Sequence, residues 1–201
     1  MRAGAVLRTV WGRAALALLA VVAAALVVAA ATGGLRTITS EQPTSAPGEV
    51  IDTGQVEVTV VEHVVTDRIY ETILESVPGA DAWLVLRVRA LAVSDATVSA
   101  LPAVVTPDVA VGEGYGEPDI ILARDGSRGS QLHPGMAEDL LLLWPVRAAD
   151  VPELLVVEVT PQERFWSALQ DTWTWQDGAA PVRLEVPAGE PLPADVVAML
   201  S

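Results

Sequence analysis

From Ala14 to Ala31 every residue is alanine, leucine or valine, and no charged residue falls between Ala14 and Leu35. As a helix those 22 residues would run about 33 Å, enough to cross a hydrocarbon core of about 30 Å. Arg2, Arg8 and Arg13 precede the stretch, and no acid occurs before Glu41. Positive charge on the short side predicts a cytoplasmic N-terminus over 1–13, with Trp11 at the interface, and export of everything after the span. The small residues Ala29, Ala30 and Ala31 leave a cleaved signal peptide as the competing reading. Cleaved signals carry a shorter apolar run, of about 7–15 residues, so the length favours a signal anchor over 14–35. Both readings put the bulk of the chain outside the cytoplasm, in the cell envelope.

Charge divides the chain in the same way. Residues 36–201 hold nine arginines and all 26 acids, and lysine, asparagine and cysteine are absent throughout. An exported part this acidic excludes a general nucleic-acid surface, which needs clustered cations. Without cysteine there is no disulfide framework, no thiol catalysis and no acylated-cysteine tether.

Residues 36–49 (RTITSEQPTSAPGE) are polar and Ser/Thr/Pro-rich, with no apolar period, and read as a stalk. From residue 50 strand signals recur. Gln55–Val65 opens with Val56, Val58 and Val60 on one face. Asp81–Ser94 is the clearest strand: Ala82, Leu84, Leu86, Val88, Ala90 and Ala92 make one apolar face, while Trp83, Val85, Arg87 and Arg89 point the other way, to a partly solvated side. Ala103–Thr106 with Val109–Val111, Asp119–Ala123, Asp139–Val146, Leu154–Val159 and Val182–Val186 follow, separated by turns such as Pro78-Gly79 and Asp125-Gly126. Seven or eight strands without interleaved helices predict an all-β, immunoglobulin-like antiparallel β-sandwich over 50–187. One short helix is expected over 161–171. Thr160-Pro161-Gln162-Glu163 has a capping-box pattern, and Phe165, Trp166, Leu169 and Trp173 recur at helical spacing. Ile69–Val77 fits a strand or a helical turn equally. The tail, 188–201, reads as loosely docked or disordered.

Residues 123–159 contain a polar hairpin, the turn Leu132-His133-Pro134-Gly135, an apolar strand ending Trp144-Pro145-Val146, and the strand Leu155-Val156-Val157-Glu158-Val159. In that order they resemble the second half of an extracytoplasmic immunoglobulin-like β-sandwich family of Gram-positive, actinobacterial membrane-anchored proteins. GQVEVTVVEHV with AWLVLRVRALAV is similar to that family's opening strands. The resemblance spans most of 54–186 and implies a fold and a location. The family is largely without assigned activity, so no functional residue is carried over.

Chemistry-bearing patterns are few. The two histidines, His63 and His133, accompany no G-x-S-x-G elbow. The acids Asp108, Glu113, Glu117, Asp119 and Asp125 lack EF-hand spacing and read as solvated loop, with calcium the less favoured alternative. No cofactor, metal or catalytic set is expected. Four aromatic residues, Phe165, Trp166, Trp173 and Trp175, fall close together. Buried, they would cap the core; exposed, Trp166, Trp173 or Trp175 could meet a protein partner or stack on a glycan. Arg87 and Arg89 share one strand face and read as cross-strand ion pairs, or as a basic spot for an anionic ligand. The expectation is a non-enzymatic, single-pass membrane protein that presents its sandwich for protein–protein contact in the envelope, accessory to a membrane transporter or assembly complex. An envelope-glycan module is the alternative.

Overall fold

Alternation of apolar and polar residues builds two sheets around a shared interior. The computed structural model describes residues 42–200 apart from Ala100, Ser130 and Ala179. The expected N-terminus (1–13), anchor (14–35) and first part of the stalk lie outside the described residues. Among the described residues, no helix is long and apolar enough to cross a membrane.

The strands are β1 (Thr44–Ser45), β2 (Ile51–Asp52), β3 (Val56–Thr66), β4 (Ala82–Ala92), β5 (Val105–Pro107), β6 (Asp119–Leu122), β7 (Ala137–Val146), β8 (Leu154–Val159), β9 (Gln162–Ser167), β10 (Thr172–Asp177) and β11 (Val182–Pro187). Among the described residues there are also three short helices, α1 (Glu71–Leu74), α2 (Leu101–Val104) and α3 (Ala194–Met199), and a 3-10 turn at Ala148–Asp150. One sheet runs β2-β3-β4-β7-β6 and the other β1-β11-β8-β5, while β9 and β10 form a separate two-stranded ribbon. All pairings are antiparallel except that of β1 with β11.

The two sheets face each other as a β-sandwich. From the five-stranded sheet come Val56, Val58, Val60, Leu84, Leu86, Val88, Leu140, Leu142 and Trp144; from the four-stranded sheet come Leu155, Val157, Val159, Leu184 and Val186. All are buried. Each such side chain contributes about 1.5–3 kcal/mol when fully removed from water, and with no disulfide this packing must hold the domain.

The alternation of β3 breaks at a bulge. Val60 pairs with Val88 and Glu62 with Arg87, so Val61 is the extra residue and is left exposed. The bulge switches the inward face from even to odd positions, which carries His63 to the inside. His63 is only 2% exposed, with Nδ1 3.1 Å from the Val186 carbonyl.

A second apolar cluster covers the outer face of the five-stranded sheet at one end. Trp83, Val85, Ile121, Leu141 and Leu143 meet Ile69, Leu74, Leu192 and Leu200 there. The partly solvated face expected for β4 is therefore split. Trp83 and Val85 are buried, whereas Arg87 and Arg89 remain toward solvent. The Trp83 indole N–H has no hydrogen-bond partner among the described residues. Its ring stands perpendicular to those of Tyr70 and Tyr115 at 6.3 and 6.2 Å, so aromatic edge-to-face contact replaces a conventional acceptor.

Three expectations need correction. The helix over 161–171 is instead the β9–β10 hairpin. Helical spacing matched four apolar residues, but Thr172–Trp175 alternates at period two, and facing aromatic residues stabilise a strand pair. The tail, expected to be loosely docked or disordered, is held in place over 188–200: the Tyr70 N–H donates to the Leu200 carbonyl at 3.0 Å, and Gly189 N–H to that of His63 at 2.8 Å. Its leucines are needed to cover Trp83, which the strand's sequence alone does not indicate. The stalk gives way to the sandwich before residue 50, since Thr44 and Ser45 pair with Arg183 and Leu184.

Two outcomes test this packing. Leu200→Ala should lower unfolding free energy by about 2–5 kcal/mol in denaturant titration, as for a buried leucine; a disordered tail would give no change. Burial holds the His63 imidazole below the ordinary histidine range, opposed by nearby backbone carbonyls that favour its charged form. The unfolded chain takes up that proton near about pH 6.5 while the folded one resists it. The stability present above that pH should thus fall as pH drops through the folded value, and His63→Gln should flatten the loss.

Candidate interaction surface

The β9–β10 hairpin leaves the sandwich where β8 ends and β11 begins, since Val159 pairs with Val182. Its base is fixed by hydrogen bonds from Gln162 N–H to the Thr53 carbonyl at 2.9 Å and from Gly178 N–H to the Pro161 carbonyl at 2.9 Å. The Gln55 side chain adds a 2.5 Å bond to that of Gln162. Gly54, at φ +86°, sits where a Cβ would run into the Gln162 carbonyl and the Trp175 ring. Only glycine meets both demands. Among the described residues no other strand lies beside the hairpin beyond this base, so both of its edges are unpaired there.

Cross-strand register sorts its residues into two faces. Arg164 lies opposite Trp175, and Trp166 opposite Trp173. Trp175 is half-buried near the base, whereas Trp166 and Trp173 are 48% and 53% exposed, and Leu169 at the tip is fully exposed. The indoles of Trp166 and Trp173 meet edge-to-face at 5.7 Å and 75°. The Arg164 guanidinium lies 5.2 Å from the Trp173 ring centre, a cation–π contact that holds both side chains. Perpendicular rings make no flat platform for a sugar. Both features suit an apolar or protein surface better than a pyranose stack.

The arginines fall elsewhere. Arg87 pairs with Glu62 on β3, and Arg89 lies 3.8 Å from Asp139 on β7, each directly across a strand pair. No hydrogen bond, ion pair or ring contact joins them to the hairpin among the described residues. The loop acids are also kept apart: Asp108 faces Arg183 at 3.3 Å, Asp119 faces Arg128 at 3.9 Å, and Asp125 accepts from the Ser127 hydroxyl and N–H. These last two bonds lower the Asp125 pKa. Among the described residues no three potential metal ligands cluster.

Of the histidines, His63 faces a backbone carbonyl, and the exposed His133 has its Nδ1 3.3 Å from the Thr97 hydroxyl. Among the described residues no carboxylate hydrogen-bonds to either ring. A cleft of about 570 Å³ opens beside His63 between Arg68, Pro152, Glu153 and Leu192, at the end of the sandwich opposite the hairpin. Sequence reasoning missed Leu169 as an exposed residue because helical spacing turned it toward the core.

If the hairpin stands free, iodide should quench a substantial fraction of the tryptophan emission of residues 36–201. Trp166→Phe with Trp173→Phe should remove most of the quenchable part, since Trp83 and Trp144 are buried. Emission that iodide leaves untouched would place the hairpin against the sandwich.

No family model matches the chain, and no curated protein does. Among solved structures it is similar to an uncharacterised β-sandwich protein from Clostridium difficile 630, at 9% sequence identity over 73% of this chain and 97% of that one, with a TM-score of 0.41.

Proposed function

We propose that this chain is a non-enzymatic, single-pass membrane protein that presents an immunoglobulin-like sandwich for protein–protein contact in the cell envelope, as an accessory to a membrane transporter or assembly complex. The observation that carries the reading is the free-standing hairpin, with two unpaired strand edges and two half-exposed tryptophans. Unpaired edges offer a row of N–H and C=O groups to which a partner's strand can add, and tryptophans are the commonest anchors of such contacts. The apolar stretch 14–35 supplies the tether and the actinobacterial-type resemblance the envelope setting. The glycan alternative, which needs Trp173 and Trp175 both open to a sugar, draws less support, because Trp175 is half-buried at the hairpin base and Arg164 occupies space over Trp173.

A photo-crosslinking amino acid placed at Gln176, on the outer strand of the hairpin, tests this in native membranes. The expected result is a discrete protein adduct from Gln176 and none from Glu185, an exposed position on β11. Equal labelling from both positions, or none from Gln176, would overturn the protein-contact reading.

A further inference from the structure

We infer that the tip of the β9–β10 hairpin seats in the interfacial layer of the lipid bilayer, giving the sandwich a second point of membrane contact. The inference rests on the tether in the proposed function and departs from its protein contact at one point: it gives Trp166 and Trp173 to lipid and leaves a protein partner the strand edges nearer the base.

The chemistry of the tip is graded along its length. Leu169, fully exposed, stands at the turn. One pair below it, after Ser167 and Thr172, come Trp166 and Trp173, and the next pair on that face holds Arg164. An apolar end, a belt of indoles and then a guanidinium is the order in which side chains distribute from hydrocarbon edge to headgroup. Asp171, beside Leu169 in the turn with φ 51°, sets the depth. A carboxylate is costly within hydrocarbon, so the tip stops among the headgroups.

Where the chain enters the sandwich decides what the tip faces. Arg183 N–H donates to the Pro43 carbonyl at 2.9 Å, and the Gln42 side chain reaches Glu158 at 3.1 Å. β1 runs parallel to β11, so the chain upstream of Gln42 leaves at the end from which the hairpin projects. With 14–35 spanning the bilayer, residues 36–41 remain as linker and can extend at most about 20 Å. Six residues of strand on the hairpin also measure about 20 Å. The reach of six linker residues and the length of the hairpin are thus alike. The standoff also matters electrostatically. Outside the hairpin, residues 42–161 and 178–201 carry 22 acids and seven arginines, and a hairpin of that length holds this charge beyond the Debye length of about 8 Å.

The chain has no cysteine, so a single Leu169→Cys substitution takes one environment-sensitive NBD label at an exposed site. The full chain is reconstituted in phosphatidylcholine vesicles, with Ala149→Cys, at the opposite end of the sandwich, as the control position. The expected result is a blue shift and a several-fold intensity gain at 169, quenched by lipid spin-labelled near the headgroup, with 149 unchanged. Trp166→Ser with Trp173→Ser should abolish the shift; a shift that survives would mean the label alone inserts and would overturn the inference. If the chain floats with the vesicles while the 169 label stays aqueous, the inference fails and the tether stands. If the chain does not float, the tether reading fails and the inference with it. A shift seen only in vesicles that also contain native membrane proteins would assign the tip to a protein partner and overturn the lipid contact.

Discussion

Strand β4 needs cover on both sides, and most of the architecture answers that need. Its even positions, from Ala82 to Ala92, are buried along their whole length and require the second sheet opposite them. Its odd positions change character along the strand, from Trp83 and Val85 to Arg87 and Arg89. The first pair demands a lid, which Ile69, Leu74, Leu192 and Leu200 provide. The second pair demands acids, which Glu62 and Asp139 provide from the flanking strands. One strand thus specifies a sheet, a lid and two ion pairs, while exposed ion pairs themselves add only about 0–1 kcal/mol each.

The strands of the sandwich were legible because burial on one face leaves a period of two. Leu154–Val159 is the same segment in sequence reading and structure, and β3, β4 and β11 differ by a residue or two. What escaped depended on partners distant in sequence. The lid formed by 192–200 is set by the apolar half of the odd face of β4, Trp83 and Val85, and the inward turn of His63 by a single bulged residue, Val61. Neither leaves a periodic trace. The hairpin was misread for a different reason. Its apolar residues satisfy helical and strand spacing together, and the choice was made by pairing Trp166 with Trp173.

The same ambiguity governed the candidate surface. The aromatic cluster falls on the hairpin, and its two most distal tryptophans are the exposed ones. A helix would have spread these residues around a cylinder, whereas the hairpin gathers Arg164, Trp166, Trp173 and Trp175 on one face. Arg87 and Arg89 illustrate the opposite outcome, since an even spacing on a strand was enough to foresee both their shared face and their cross-strand neighbours.

The short pairing of β1 with β11 has a mechanical consequence. Tension on the chain upstream of Gln42 runs along the β1 axis, so its contacts with Arg183 and Leu184 are loaded in shear and give way together. Their loss would free residues 42–47, roughly 20 Å of extended chain, up to Gly48, whose N–H donates to the Val60 carbonyl. Residues 42–47 would thus act as a shock absorber, yielding while the sandwich behind them stays intact.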